Sequence, residues 1–312
     1  MVALACGVLQ IDPGDYHTAH EYRLGVAARI SDLARDGARL IVMPAHLAMA
    51  GAVAGRAMPP GTGRSRLASL AWAASVVTDR EIRDWQDFYS AAAMSNKVYL
   101  CPGSYWVQTN GGYVHRADLH SPEGEIVGFA LQTHSSEEEE RAGLLCGTEL
   151  PVFDVGGLRV GIELATDVWY PEVGRLHALQ GVDVLVALTA VPSPYTVWQQ
   201  TAGLWQVVQA NQVFGIEASL SGRWLGARYH GRSRAFGPVE CTEDGRGVLA
   251  EITAESRSDR FIVTLDRGML RHARAVFPVF EHFNVGLYSE RLSDAYLTDR
   301  AVKIVPADER KA

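Results

Sequence analysis

The chain has 312 residues, of which 47% are apolar and 21% are charged. This composition is ordinary for a globular protein, and a chain of this length can bury a large core without disulfides. The formal net charge of −7 provides no basic surface of the kind that binds nucleic acid, so no nucleic-acid partner is expected.

The N-terminal part of the chain alternates buried strands with helices. The nearly unbroken apolar run VALACGVLQI is typical of a strand covered on both faces. Helically spaced apolar residues predict a helix over residues 17–36, with Gly37 as its cap. Further along we predict a strand in ARLIVMPAH, a loop over residues 52–64, a helix over residues 84–97 and a strand in VYLCPGSYW.

Hairpins interrupt this alternation in the rest of the chain. Turns are predicted at residues 122–124, 156–157, 237–238 and 244–245, each between segments of strand composition. Between the second and third turns we predict a helix over residues 171–180, the strand VDVLVALTA, a long helix over residues 195–212 and the strand VFGIEASL. The last clear strand is RFIVTLD.

This mixture of alternating elements and hairpins predicts the α/β class. Two packed sheets with helices outside them would form a four-layer α-β-β-α sandwich. No repeat or low-complexity segment divides the chain, so we expect one domain over residues 1–270. Residues 271–312 are predicted to be a tail that packs on the domain or on a dimer mate. The acidic run from Glu137 to Glu140 is interpreted as a solvated loop, because like charges repel.

Cysteine spacing and targeting signals limit the class of protein further. The chain has four cysteines, which lie far apart and form no CxxC pair: Cys6, Cys101, Cys146 and Cys241. This spacing argues against a structural zinc site and against a secreted disulfide scaffold. We find no signal peptide and no apolar run of about 18 residues, so we expect a cytoplasmic protein without a membrane partner. No nucleotide-binding glycine motif is present, and we predict no cofactor and no metal.

Five segments, in order, resemble the nitrilase or carbon-nitrogen hydrolase superfamily over nearly the whole chain. They are GARLIVMPA, GEIVGFALQTH, VGIELATDVWYPEVGRLHALQGVDVLV, VVQANQVFGIEAS and GRSRAFGPVE. The first three are similar to the family's strand ending in Pro-Glu, its hairpin ending in Lys-Thr-His and its corner with Cys-x-Asp. It is the order and spacing of the segments, not any single one, that indicate the fold.

The resemblance implies a mechanism that this sequence lacks the residues to perform. In the family a cysteine thiolate attacks a nitrile or amide carbon, a glutamate acts as general base and a lysine stabilises the oxyanion. Carried over by position, these residues fall on Ala165, Ala45 and Gln132. His46 is the alternative occupant of the base position. Since the three residues act as a unit, thiol hydrolysis is predicted to be absent.

The corner around Ala165 nevertheless keeps the family's framework residues. Asp167, Pro171, Glu172 and Arg175 match the pattern that surrounds the family's cysteine. Four side chains are candidates for a recruited acid or base: His46, His134, Glu163 and Asp167. Structural interpretations stand beside these. His134 would keep a framework role, Asp167 would hold the corner through backbone hydrogen bonds, and His115 would be a surface residue of the hairpin.

Three functions remain open at this stage. The first is a pseudoenzyme that binds a small, neutral or weakly polar ligand, or a partner, in a pocket lined by Thr133, Thr166, Trp169 and Tyr195. The second is an enzyme that acts on a small amide-like or nitrile-like compound with recruited residues. The third is a structural or assembly protein. The resemblance also implies a homodimer or higher homo-oligomer, formed through the helix that follows the corner.

Overall fold

The computed structural model describes residues 2–194 and 196–297 of the protein. The first half of the chain contains strands β1 (Ala3–Gln10), β2 (Leu40–Val42), β3 (Tyr99–Cys101), β4 (Ser104–Thr109), β5 (Gly112–His120), β6 (Ile126–Leu131), β7 (Leu144–Leu145) and β8 (Val152–Val155). The second half contains β9 (Leu158–Leu164), β10 (Val184–Thr189), β11 (Phe214–Ser219), β12 (Ser221–Trp224), β13 (Ala227–His230), β14 (Arg234–Phe236), β15 (Val248–Glu251) and β16 (Asp259–Asp266).

The helices alternate with these strands along most of the chain. They are α1 (Ala19–Arg35), α2 (Leu47–Val53), α3 (Arg66–Val76), α4 (Asp79–Asn96), α5 (Glu137–Arg141), α6 (Pro171–Leu179), α7 (Val197–Gln200), α8 (Gln206–Asn211), α9 (Arg267–Val276) and α10 (Val285–Leu297). Several helices begin at a residue whose side chain accepts a hydrogen bond from a backbone amide of the first turn. Thr78 and Glu81, for example, form a reciprocal capping box at the start of α4.

The strands form two large sheets and one hairpin. The eight-stranded sheet has the order β16-β1-β2-β3-β5-β4, with β6 and β7 also paired to β5. The six-stranded sheet has the order β15-β14-β11-β10-β9-β8, and its central strands β9, β10 and β11 are parallel. Strands β12 and β13 form a separate two-stranded hairpin.

Burial on both faces of β1 explains its unbroken apolar sequence. Cys6 and Val8 belong to the core between the two sheets, whereas Leu9 belongs to the core between the first sheet and helices α1 to α4. On the second sheet, Gly161 of β9 lies against His177 of α6, so a helix layer covers this face as well. The layers are therefore helix, sheet, sheet and helix, and the predicted α-β-β-α sandwich is confirmed.

Two local predictions were wrong and one helix was missed. Helix α3 was not predicted, because the alanine-rich sequence around it shows no clear amphipathic stripe. The single helix expected over residues 195–212 is instead α7, a π-helical turn over Thr201–Trp205 and α8, with non-helical dihedrals at Gly203. The acidic run is not a solvated loop: it forms α5, and Glu139 is only 3% exposed.

The chain divides into a unit up to Val276, which includes α9, and a second unit from Phe277. The described part of the second unit contains α10 and a group of edge-to-face aromatic rings, Phe280, Phe283 and Tyr288. Residues 298–312 of the predicted tail lie outside the described residues. Within the described ranges, no helix combines the length and apolar character needed to cross a membrane.

Helix α6 carries apolar side chains on two faces. Val173 and Ala178 are buried, while Leu176 and Leu179 are 51% and 56% exposed. We propose that a second copy of the chain covers Leu176 and Leu179, as the resemblance to the family led us to expect. The wild-type protein should therefore be a dimer at micromolar concentration in light scattering, and Leu176→Glu should shift it towards the 34.0 kDa monomer. Leu24→Glu, on α1 and 61% exposed, is the control. A wild-type monomer would contradict the proposal.

Candidate functional site

The corner after β9 has a strained backbone. The strand ends at Leu164, a 3-10 turn spans Ala165–Trp169, and α6 begins at Pro171. Ala165 has a φ of 48°, in the left-handed region that costs a non-glycine residue about 1–2 kcal/mol. Such strain typically marks a strand-to-helix corner that presents a reactive side chain. Here the partly exposed residue at the corner is an alanine.

Asp167 ties this corner to the end of the β6 hairpin. Its carboxylate accepts hydrogen bonds from the Thr133 amide at 3.0 Å, the Thr133 hydroxyl at 2.9 Å and the His134 amide at 2.8 Å. It also accepts the Leu164 amide at 3.4 Å. Burial raises the pKa of Asp167, although these hydrogen bonds oppose the shift. Because its oxygen atoms already accept these four hydrogen bonds, the Asp167 carboxylate serves to position the corner.

A chain of hydrogen bonds links the corner to the end of β2. The Gln132 amide nitrogen donates to the Thr166 hydroxyl at 2.7 Å, and the Gln132 oxygen lies 2.7 Å from Nδ1 of His115. Nε2 of His115 lies 2.6 Å from the Ser104 hydroxyl, which accepts the His46 amide at 3.0 Å. The chain therefore joins Gln132 to Thr166 and His46, the immediate neighbours of Ala165 and Ala45. The three positions that the resemblance assigned to the triad thus lie around one polar network.

The central part of this chain has the order of a nucleophile, a base and an orienting group. Because an amide oxygen only accepts, Nδ1 of His115 donates to Gln132 and Nε2 accepts from Ser104. Burial lowers the pKa of His115 to about 4, which agrees with a neutral ring. Ser104 is 0% exposed, however, so its hydroxyl has no route to a substrate. The arrangement holds Gln132 in place rather than activating Ser104.

The two candidates for the base position occupy different environments. Ala45 is 0% exposed and lies in the apolar core between the sheets. His46 begins α2 with a φ of 65° and stacks on His115 and Trp224, with ring centroids 4.8 and 5.9 Å apart. Burial lowers the pKa of His46 well below its usual value, and electrostatic interactions with His115 and Arg66 act in the same direction.

The other predicted site residues do not converge on one point. Glu163 faces α6, where its carboxylate lies near Gly174, while Ile162 and Leu164 on either side of it face the core between the sheets. His134 stacks on Tyr170, with ring centroids 4.0 Å apart. Trp169 donates to the carbonyl oxygen of Gln199 at 3.0 Å. Tyr195, also predicted to line the pocket, lies outside the described residues.

Two buried residues of the network were predicted from the sequence to lie at the surface. His115 is 0% exposed and is not the surface residue that we expected. Glu139 accepts hydrogen bonds from the Ser136 amide at 2.9 Å and from the Gln132 amide nitrogen at 3.2 Å. The spacing of Ser136 and Glu139 is that of a capping box, and this signal could have placed Glu139 at a helix start. In the described part of the chain, no group of three metal-binding side chains is assembled.

A pair of buried carboxylates, Glu163 and Glu217, lies on the helix-facing side of the second sheet. Glu163 and Glu217 flank Ala187 in register across three parallel strands. Glu217 accepts hydrogen bonds from Thr189 at 3.1 Å and from Gln200 at 2.7 Å. Burial raises the pKa of Glu217 to about 7 and that of Glu163 well above its usual value. These acids stabilise the fold most when they are protonated.

Replacing Glu217 by glutamine should remove part of the pH dependence of stability. Its native pKa of about 7 lies above its ordinary value of 4.5, so the native state binds the proton more tightly than the unfolded chain. The stabilising contribution is therefore complete below pH 4.5 and is lost as the pH rises to about 7. In urea unfolding, the free energy of unfolding of Glu217→Gln should rise by about 3 kcal/mol relative to that of wild type as the pH is raised from 4.5 to about 7. Glu123→Gln, at an exposed site, is the control, and its free energy of unfolding should follow that of wild type over the same pH range. Equal changes in both variants would refute the assignment.

Comparison with curated proteins points to one family. The family model for carbon-nitrogen hydrolases matches residues 6–274. The chain is 27% identical over 167 residues to a probable nitrilase of Schizosaccharomyces pombe, covering 50% of this chain and 58% of the relative. It is 24% identical over 213 residues to the 2-oxoglutaramate amidase of Bacillus subtilis, covering 68% of this chain and 79% of the relative. The chain thus spans little more than half the length of the yeast relative.

Solved structures share the fold over almost their full length. An amidase from Nesterenkonia sp. AN1, with an acetamide moiety covalently added at its active-site cysteine, matches with a TM-score of 0.72 and 16% identity. That match covers 92% of this chain and 96% of the amidase. A carbon-nitrogen hydrolase from Helicobacter pylori G27 matches with a TM-score of 0.73 and 18% identity, covering 93% and 98% of the two chains. From the family match over most of its length, the chain belongs to the carbon-nitrogen hydrolase family.

Proposed function

We propose that the protein is a non-hydrolytic member of its family that binds a small ligand at the corner. One observation carries the proposal: the strained, partly exposed corner is kept, but its residue is Ala165. A methyl group can neither attack a carbon atom nor form a covalent intermediate. The strain would have no purpose if the corner were only a connection, because a glycine would remove it.

The polar groups beside the corner suit binding better than acid or base catalysis. Thr133 and Thr166 are partly exposed. Their hydroxyl hydrogens are donated to Asp167 and to the carbonyl oxygen of His134, so each hydroxyl oxygen can serve a ligand only as an acceptor. Asp167 and Gln132 are fully used in holding these neighbours. A few fixed polar groups around an apolar floor are typical of a small-molecule pocket. These observations favour binding over the alternative of an enzyme with recruited residues.

A ligand screen by thermal shift tests the proposal. The panel contains small amides, nitriles and carbamoyl compounds, and it is applied to wild type, Ala165→Met and Ala57→Met. At least one compound should raise the melting temperature of wild type and of Ala57→Met, whose substitution lies in an exposed loop. The same compound should not protect Ala165→Met, because the longer side chain fills the floor. If no compound protects wild type, the binding proposal fails and the assembly role is favoured.

A further inference from the structure

Two threonine hydroxyls beside Ala165 can accept hydrogen bonds from a ligand but cannot donate to it. The Thr133 hydroxyl gives its hydrogen to Asp167 at 2.9 Å, and the Thr166 hydroxyl gives its hydrogen to the carbonyl oxygen of His134. A hydroxyl has one hydrogen and two lone pairs, so each oxygen keeps only accepting capacity. Both threonines are partly exposed, so a ligand at the corner can reach them.

His134 supplies a third acceptor beside the two hydroxyls. Its Nδ1 lies 2.9 Å from the Thr133 hydroxyl, whose hydrogen is already given to Asp167. Nδ1 must therefore carry the ring hydrogen, which leaves Nε2 of the neutral ring as an acceptor. The side chain is 35% exposed and stacks on Tyr170. The three acceptors lie close together, because Thr133 and Thr166 each form a hydrogen bond with His134.

Gln132, at the position that the resemblance assigns to the family's lysine, offers a ligand no donor either. It is 1% exposed, and its two amide hydrogens are shared among three acceptors. These are the Thr166 hydroxyl at 2.7 Å, the carbonyl oxygen of His134 at 2.8 Å and Glu139 at 3.2 Å. A ligand that only accepts hydrogen bonds, such as a nitrile or a carboxylate, therefore finds no free donor on the described side chains of this network.

Two buried carboxylates border the same network without a lysine or arginine partner. Asp167 and Glu139 are 1% and 3% exposed. Among the residues that the structure describes, Asp167 has one ion-pair contact, with Nδ1 of His134 at 3.4 Å, and Glu139 has none. Helix α5 adds three more glutamates, of which one pairs with Arg141. A nearby cation stabilises buried carboxylates, so the local charge favours a positively charged ligand.

We propose that the corner binds the ammonium group of a small primary amine through Thr133, Thr166 and His134. An ammonium group has three hydrogens and no acceptor, so it matches three acceptor atoms. It is also a cation at neutral pH, as the lysine side chain is. The inference rests on the proposed ligand-binding function and names the class of ligand. A primary amine replaces the neutral or weakly polar ligand that the sequence led us to expect.

Four probes with the same four-carbon chain separate hydrogen bonding from charge. Butylammonium has a charge and three donor hydrogens, butyltrimethylammonium has the charge without a donor, butanamide has two donor hydrogens without a charge, and butanoate only accepts. Each probe is titrated calorimetrically at neutral pH into wild type, His134→Phe, Thr166→Val and His20→Phe. His134→Phe keeps an aromatic ring beside Tyr170 but removes the acceptor. His20→Phe is the control, because His20 is an exposed histidine in α1.

Wild type and His20→Phe should bind butylammonium about 10-fold or more tightly than each of the other probes, since hydrogen bonds to a charged group are the stronger ones. His134→Phe and Thr166→Val should lose most of this preference. Their melting temperatures report whether they are folded, and the order of the four probes in wild type decides the matter if a variant does not fold.

The outcomes separate this inference from the proposed function. If another probe binds wild type as tightly as butylammonium, or if the preference is unchanged in a folded variant, the amine assignment is overturned and ligand binding stands. If no probe binds but a compound of the amide and nitrile panel protects wild type, only the amine assignment fails. If neither set binds, both proposals fail. Release of ammonia from butanamide would overturn only the non-hydrolytic function.

Discussion

Incubated with simple nitriles, amides and carbamoyl compounds, the protein should release no ammonia and gain no mass. The corner residue Ala165 has no nucleophilic atom, and Gln132 is uncharged and held by His115 and Thr166. When catalytic residues act together, loss of the nucleophile lowers the rate on the order of 10⁶-fold, and the remaining catalytic residues cannot make up for it. The measurement is ammonia release together with intact mass after incubation.

Two controls make this result interpretable. The 2-oxoglutaramate amidase of Bacillus subtilis serves as the positive control for the assay. Cys146→Ala serves as the control for adducts, since Cys146 is the exposed cysteine, whereas Cys6 and Cys101 are buried. Turnover at ordinary enzyme rates, roughly 1–1000 per second, would contradict the proposed function. A mass gain that disappears in Cys146→Ala would instead identify a relocated nucleophile.

Restoring the family's residues should not restore good catalysis. The triple variant Ala45→Glu, Gln132→Lys and Ala165→Cys places a carboxylate at a site that is 0% exposed and lies in an apolar core. It also removes the acceptor for Nδ1 of His115. A catalytic group needs supporting residues that hold it in a productive geometry. Turnover within about 10-fold of a typical family rate would show that this support has survived.

The layers of the fold could be predicted because they depend on local periodicity. Strand β1 has apolar residues on both faces, and its sequence shows that directly. The position of His115 could not be predicted in this way. Strand β5 is mostly buried near its end but partly exposed near its start, so alternation alone does not identify the buried face. Only the pairing of β5 with β4 and β6 brings His115 between Ser104 and Gln132.

The corner was predicted better than the groups around it. The segment from Gly161 to Glu172 defines its chemistry, and the structure adds only the strained backbone at Ala165. Helix α3 was missed, because the residues between the predicted loop over 52–64 and the predicted helix over 84–97 show no clear amphipathic stripe. Its first residue, Arg66, affects the pKa of His46 and of Tyr229, which are 20 and 163 residues away in the sequence. Such contacts carry no local sequence signal.

Replacing Gln132 by leucine should destabilise the protein by about 2–4 kcal/mol. Gln132 is 1% exposed, and its amide group contacts His115, Thr166, Glu139 and the carbonyl oxygen of His134. Leucine is similar in size but makes no hydrogen bond. The replacement leaves Nδ1 of His115 without an acceptor in a buried site, which costs about 1–3 kcal/mol, and several other bonds are lost with it. The free energy of unfolding is measured with urea at neutral pH.

The control for this variant is Gln108→Leu, on strand β4 of the same sheet. Gln108 is exposed, so its replacement should change the free energy of unfolding by no more than about 0.5 kcal/mol. If Gln132→Leu costs as little as Gln108→Leu, the hydrogen-bond chain does not stabilise the corner. If Gln132→Leu alone loses much of the free energy of unfolding and is also protected less by the ligand, the network has the task of shaping the pocket. We propose this task as the physical reason for the buried polar side chain of Gln132, the position that the resemblance assigns to the family's lysine.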